Sequence, residues 1–211
     1  MTTYGHLRIN TLVGVRIATG YIARQYPPTP QGPMILRQKS ALDGFAYEFL
    51  DGTESLVVGG FHYAWFAQAK NARLRIFSAE DAAKGDIQMT LHGEAWRVRH
   101  CYLSRGYVSD IRYTLETTDE SIHAQADVLG QSAGHRLPRI VMAQPADIEV
   151  GTSSGWLTKN FPVTHLSTGQ PLGCIRERSA ITFKRELVID LPGMEPAVAA
   201  FLGIVALIVR Y

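Results

Sequence analysis

From Met34 onward, apolar and polar positions alternate in short runs, and the alternation gives way only in the last stretch of the chain. Phe45, Tyr47 and Phe49 share one side of the first clear run. Asp51-Gly52 after it predicts a two-residue hairpin turn, and the return strand ESLVV meets Gly59-Gly60, a bulge or bend signal. Phe61, Tyr63 and Trp65 then fall on one face, and RLRIF (73–77) reads as a further strand. Ser78 to Gly85 carries a capping-box spacing and predicts one short surface helix. Strands resume with IQMTL, EAWRVRHCYL, YVSDIRYTLET, SIHAQADVL, PRIVMA, DIEVG and WLTKNFPVTHL, and finish with PLGCIRER and ITFKRELVID. Before Met34 the alternation is weak. Leu7 and Ile9, then Val13, Val15 and Ile17, are short strand candidates, and YPPTPQGP (26–33), with four prolines in eight residues, is an extended connector.

The closing run, Ala197 to Val209 (AVAAFLGIVALIV), has no polar position at all. A helix that is apolar all round must be buried on every side. Pro196 suits its first turn, Glu195 the positive end of its dipole and Arg210 the negative end. Its length, about 20 Å at 1.5 Å per residue, falls short of the roughly 30 Å hydrocarbon core of a bilayer. A spanning tail anchor is the lesser alternative. The strand pattern supplies the other way to bury it. About a dozen antiparallel strands closed on themselves enclose more space than their own side chains fill, and an apolar helix along the axis fills the remainder. The fold class is therefore mainly β: a closed, roughly twelve-stranded antiparallel barrel around a buried C-terminal helix. Residues 1–211 form one domain, with N-terminal strands and connector over 1–33, barrel strands over 34–190 and the central helix over 191–211.

Composition changes this picture little. The chain has 211 residues, 46% hydrophobic and 19% charged, with net charge +2. That balance predicts no nucleic-acid partner. The two cysteines, Cys101 and Cys174, stand in apolar runs without a CxxC spacing and read as buried free thiols. No signal-peptide pattern is visible at the N-terminus, so the expected location is cytoplasmic, with peripheral membrane contact open.

The closing run STGQPLGCIRERSAITFKRELVIDLPGMEPAVAAFLGIVALIVRY carries a Gly turn (Thr168-Gly169), a strand with Leu172, Gly173 and Ile175, a last strand and the apolar helix. In this it resembles the C-terminus of the tubby-like β-barrel superfamily, which includes the phospholipid scramblases and the plant LURP-one-related proteins. The match covers residues 161–211; residues 34–160 agree in strand density. The resemblance implies a barrel threaded by its helix, and binding of anionic lipid headgroups such as phosphoinositides. The acidic residues that scramblases carry before the helix are reduced here to Asp190 and Glu195, and their cysteine cluster is absent. Calcium-driven lipid transport is therefore not implied.

Catalytic patterns are missing. The seven histidines form no HExxH or HxH, and neither a phosphate loop nor a GxSxG elbow is present. No metal, no cofactor and no enzymatic activity are expected. His123, Gln125 and Asp127 share a strand face that reads as solvated.

The polar feature that stands out is arginine. If Arg105-Gly106 turns the hairpin spanning Glu94 to Thr117, Trp96 faces Leu115, Val98 faces Tyr113 and His100 faces Ile111 on an apolar side. Arg97 then lies beside Thr114, and Arg99 directly opposite Arg112, on the other side. Like charges directly opposed destabilise a sheet. Either an anion sits between them, or Asp110 or Glu94 screens them on a wet face. Arg176, Arg178, Lys184 and Arg185 add a second basic run. Arg97, Arg99, Arg112, Arg176, Arg178 and Lys184 are thus the candidate anion- or lipid-binding residues. The expected function is a non-enzymatic binding module for an anionic lipid headgroup. The alternatives are a scaffold that binds an acidic protein surface, or a protein anchored by its terminal helix.

Overall fold

The computed structural model describes residues 32–40, 46–62, 86–103, 110–129, 139–151, 159–178 and 185–209. The expected strands at 7–17 and 73–77, the helix at 78–85, most of the proline connector, the Arg105-Gly106 turn, Lys184 and Arg210 lie outside them. The first six strands are β1 (Met34–Gln38), β2 (Ala46–Leu50), β3 (Val57–His62), β4 (Ile87–Leu91), β5 (Glu94–Tyr102) and β6 (Ile111–Glu116). The next six are β7 (Ile122–Leu129), β8 (Arg139–Gln144), β9 (Ala146–Val150), β10 (Asn160–His165), β11 (Pro171–Glu177) and β12 (Glu186–Asp190). Each pairs antiparallel with its chain neighbours, and β1 pairs with β12, so the sheet closes into a twelve-stranded meander barrel. Among the described residues, closure leaves no strand edge unpaired.

The alternation read from the sequence is the alternation of the wall. Ile87, Met89 and Leu91 of β4 are buried while Gln88 and Thr90 are exposed; Ala124, Ala126 and Val128 of β7 are buried in the same rhythm. Aromatic pairs tie neighbouring strands from inside: Tyr47 lies opposite Phe61, with ring centroids 5.0 Å apart and planes 10° from parallel.

The lumen is filled by helix α1 (Pro196–Val209), with Pro196 in its first turn and the apolar run Ala197 to Val209 forming the rest. Every residue from Ala197 to Leu207 is buried. Proline at the first position costs no hydrogen bond, because the first-turn N–H groups have no helical acceptor. At Gly203 the helix lies close against β12. A Cβ there would run into the side chain of Ile189 on β12. Among the described residues, no helix is long and apolar enough to cross a membrane.

The helix leaves β12 at one end of the barrel, here called the helix rim. The connections between β2 and β3, β4 and β5, β6 and β7, β8 and β9, and β10 and β11 all lie at this rim and are all described. Five register shifts cluster there too, in the pairings of β2 with β3, β6 with β7, β7 with β8, β8 with β9 and β10 with β11. Bulges concentrate at barrel rims because they re-aim side chains where pairing ends. Between β4 and β5, His92 and Gly93 both take positive φ (49° and 81°), the two-residue turn that suits strand twist.

Three expectations need correction. The Asp51-Gly52 turn is a six-residue connection, since Leu50 pairs with Val57. The Asp51 carboxylate accepts from the Ser55 and Leu56 amides at 3.0 and 3.1 Å and from the Thr53 hydroxyl at 2.7 Å, which closes the longer loop. The β5–β6 register is shifted by two residues: Arg99 lies opposite Thr114, Arg112 opposite Cys101, and Val98 opposite Leu115. A shift of two preserves faces, so Trp96 and Tyr113 are still on the inner side. Arg99 and Arg112 are therefore not directly opposed. The cysteines are free as expected, but Cys101 is exposed and Cys174 half-buried, because both stand at positions that the barrel turns away from its core.

Candidate functional site

The arginines emerge on the outer wall, and carboxylates meet most of them. Arg112 donates from Nε and Nη2 to the two oxygens of Asp127, its partner across β7, at 2.7 and 2.8 Å. This fork-to-fork geometry is the strong form of the pair, and the Asp127 bond raises the Arg112 pKa further. Arg99 lies 3.5 Å from Asp86 and 3.6 Å from Glu116, and Arg97 lies 3.6 Å from Glu120. These contacts are long for hydrogen bonds, and both guanidinium groups are nearly half exposed. Burial raises the Asp86 carboxyl above its ordinary value, opposed by the Arg99 charge. Burial likewise lowers the His100 imidazole, which stands beside the Tyr113 ring.

The second basic run does not join the first. Arg176 and Arg178 belong to β11 or its end, six strands from β5 in either direction round the barrel. Arg178 holds Glu186 and reaches Glu54 of the β2–β3 connection, and it is thereby neutralised. Arg176 is exposed and has no carboxylate within 4 Å among the described residues. Lys184 lies outside them. The candidate set is thus two patches on opposite walls.

Beside Arg97 runs a groove of about 900 Å³ over β2 to β5. Its cations are Lys39 and Arg97, with His62, Gln88, Thr90, Thr117 and Thr118 adding polar groups. No Asp or Glu lines it among the described residues. Gly60 lies within it, where a Cβ would stand 2.6 Å from the Tyr47 carbonyl oxygen. The close approach of β2 demands glycine, and the missing side chain leaves the trough. The Gly59-Gly60 signal was legible in the sequence; the groove beside it was not.

The helix rim holds a second feature that the sequence reading missed. Leu115 pairs with Ala124 but Glu116 with Ile122, which leaves His123 outside the ladder. Its Nε2 lies 2.8 and 2.9 Å from the Glu195 carboxylate oxygens, and its ring sits 4.9 Å from that of Trp96. His123 therefore does not stand on the outer face with Asp127, as simple alternation implied. It joins β7 to the start of α1. Around it opens a cleft of about 650 Å³, lined among others by Ile122, His165, Leu172 and Met194.

The rim connections carry Asp51, Glu54, Asp119, Glu120 and Glu195, of which Glu54 meets Arg178, Glu120 lies 3.6 Å from Arg97 and Glu195 meets His123. Hydroxyl and amide donors hold Asp51, Asp119 and Asp147 below the ordinary aspartate value, chiefly Thr53, Thr117 and Ser167 respectively. They keep their charge into acid solution. Among the described residues, no three His, Cys, Asp or Glu side chains stand close enough to hold a metal ion. Comparison of the chain with family models, curated proteins and solved structures returned no match.

Proposed function

We propose that this barrel is a non-enzymatic binding module that takes a phosphate-bearing ligand, an anionic lipid headgroup, at the outer groove beside Arg97. The observation that carries the reading is the lining of that groove: Lys39 and Arg97 with hydroxyl and amide groups, and no carboxylate among the described residues. Along the lumen runs α1, whose residues from Ala197 to Leu207 are all buried. Arg97 lines the groove and Arg99 stands two residues further along β5, and neither is held in a close fork like that of Arg112. Their ion pairs are long and exposed, pairs of a kind worth about 0–1 kcal/mol, so a phosphate can take over their forks. Arg112, held at both nitrogens by Asp127, shapes the wall instead. The resemblance of residues 161–211 to the tubby-like superfamily supports the same ligand class.

The test is co-sedimentation of the full chain with phosphatidylcholine vesicles, with and without a phosphoinositide, at low and high salt. Binding should require the phosphoinositide, weaken with salt and be competed by a soluble inositol phosphate. Arg97→Ala combined with Lys39→Ala should weaken it severalfold, and Arg178→Ala should not. Equal binding by the double variant sinks this site. Failure of both chains to bind any vesicle, with retained binding to an acidic peptide, transfers the face to a protein partner.

A further inference from the structure

We propose that the cleft at the helix rim is a binding site for a small organic amine, taken as its ammonium ion with an apolar body behind it. Two histidines line the cleft, and each has one ring nitrogen committed. His123 Nε2 lies 2.8 and 2.9 Å from the two Glu195 oxygens. An ionised carboxylate only accepts, so Nε2 carries the proton and Nδ1 of the neutral ring is an acceptor. His165 Nδ1 lies 3.3 Å from the Asp147 carbonyl oxygen. A carbonyl likewise only accepts, so there Nδ1 carries the proton and Nε2 is the acceptor. Gln144, with its amide nitrogen 3.5 Å from the Ile122 carbonyl oxygen, adds an amide oxygen. The side chains of His123, Glu195 and His165 are exposed by 26, 27 and 38%, so a small molecule can reach all three.

The polar side chains of the cleft thus offer acceptors and call for donors. Charge points the same way. With neutral imidazoles, Glu195 is the ionised side chain of the lining, and no Lys or Arg lines the cleft among the described residues. The His123 contact does not cancel that charge. A neutral ring donates a single N–H, shared between two oxygens, and a carboxylate with about four lone-pair sites can accept further donors. The positive end of α1 would by itself draw an anion. The Glu195 carboxylate, on the residue before Pro196, already holds that place.

Around these groups the walls are apolar, formed by Ile122, Ile148, Leu172, Met194 and Val198. The volume of about 650 Å³ lies within the range of small-molecule sites. A few convergent acceptors in an apolar cleft are the complement of an ammonium, which only donates, carried on a hydrocarbon body. The site lies at the rim and does not depend on the outer groove.

Titration of the full chain with phenethylammonium, phenethyl alcohol and phenylacetate tests it, since the three share one apolar body and differ in the polar head. The readouts are the ring signals of His123 and His165 and the methyl signal of Met194, with Met89 and Met142 of the core as internal controls. The amine should move the first three signals saturably and leave the controls in place. The alcohol should bind about tenfold more weakly, the difference expected for hydrogen bonds to a charged group, and phenylacetate should not bind. Glu195→Gln should weaken the amine by about the same factor. Ile122→Lys, at a position 47% exposed, sets a competing cation in the cleft and should also weaken it while the fold is kept. Arg97→Ala should leave amine binding unchanged. Absence of a saturable shift with the amine, phenylacetate binding as tightly, or full affinity in Ile122→Lys each overturns the proposal. Tighter binding of Nα-acetyl-lysine methyl amide overturns it in favour of a lysine side chain on a protein partner. If Glu195→Gln does not fold, Ile122→Lys decides alone.

Discussion

Replacing Val205 by Asp places a carboxylate at the centre of the lumen, where the wild-type side chain is fully buried. The helix around it is apolar on all sides, and no Lys, Arg or His occurs between Pro196 and Val209. Two costs add. Losing a buried valine forfeits about 1.5–3 kcal/mol of transfer free energy. Burying an unpartnered polar group costs roughly 2–7 kcal/mol more, with the carboxyl driven to its neutral form in preference to carrying charge. Against a total stability of about 5–15 kcal/mol for a domain, the sum is enough to unfold a large fraction of the chain.

The assay is urea denaturation of the full chain, followed by far-ultraviolet circular dichroism at neutral and mildly acid pH. Val205→Asp should show a collapsed or missing folded baseline at neutral pH, with partial recovery in acid, where protonation removes the charge. Ile208→Asp is the internal comparison. Ile208 is half-buried near the open end of α1, so a carboxylate there can turn toward water and should cost visibly less. The ordering of the two is the discriminating result. Equal midpoints for Val205→Asp and wild type, or a larger loss at Ile208 than at Val205, would falsify the placement of the helix along the axis.

Three further outcomes follow from the same contacts. Gly203→Ala, which on helix propensity alone should stabilise by about 0.5–1 kcal/mol, should instead destabilise by about 1–3 kcal/mol, because the new methyl meets Ile189; adding Ile189→Val should recover part of the loss in the same melt. Arg112→Ala should lower the thermal midpoint, since it leaves Asp127 without its bidentate partner, whereas Arg97→Ala should be near neutral, because Glu120 is 72% exposed. Asp147 is held below its ordinary value of 3.8 by Ser167, so its contribution is present above that pH and is lost as the pH falls through the lowered folded value; Ser167→Ala should move the carboxyl resonance midpoint of Asp147 upward, toward 3.8.

What the sequence made legible followed from periodicity. A period of two placed Trp96, Val98 and Tyr113 inside and Arg97, Arg99 and Arg112 outside, and an unbroken apolar run at the end could only be buried. Those features depend on which face a residue takes, and faces survive a register error of two. Partners do not survive it. The opposed arginine pair depended on the turn length, and the shifted register replaces it with Arg99 opposite Thr114. The carboxylates that hold these arginines come from the residue just before β4, from the end of β6, from the β6–β7 connection and from β7, at separations no local spacing encodes. The split of the basic runs onto opposite walls was hidden for the same reason: ring position comes from closure, which needs all twelve pairings. His123 was misread because a bulge breaks the alternation that had assigned its face.

The bulges also explain why the chemistry of this barrel gathers at one end. A closed wall with a filled lumen has only two kinds of surface, the outward side chains of the strands and the two rims. Along the wall, cross-strand pairing sets an arginine on one strand against a carboxylate on the next, as with Arg112 and Asp127 or Arg37 and Glu48, and the charges cancel locally. Cancellation requires a regular ladder. At the helix rim the register shifts five times, direct cross-strand partners are lost, and side chains such as His123, His165 and Leu172 line the cleft beside the start of α1. The Asp51, Asp119 and Asp147 carboxylates there are satisfied by hydroxyls and amides, which hold an anion without neutralising it. Where its ladder is interrupted, no strand partner sets a Lys or Arg across from Asp51, Asp119 or Asp147, and hydroxyl and amide donors take the place of the cation.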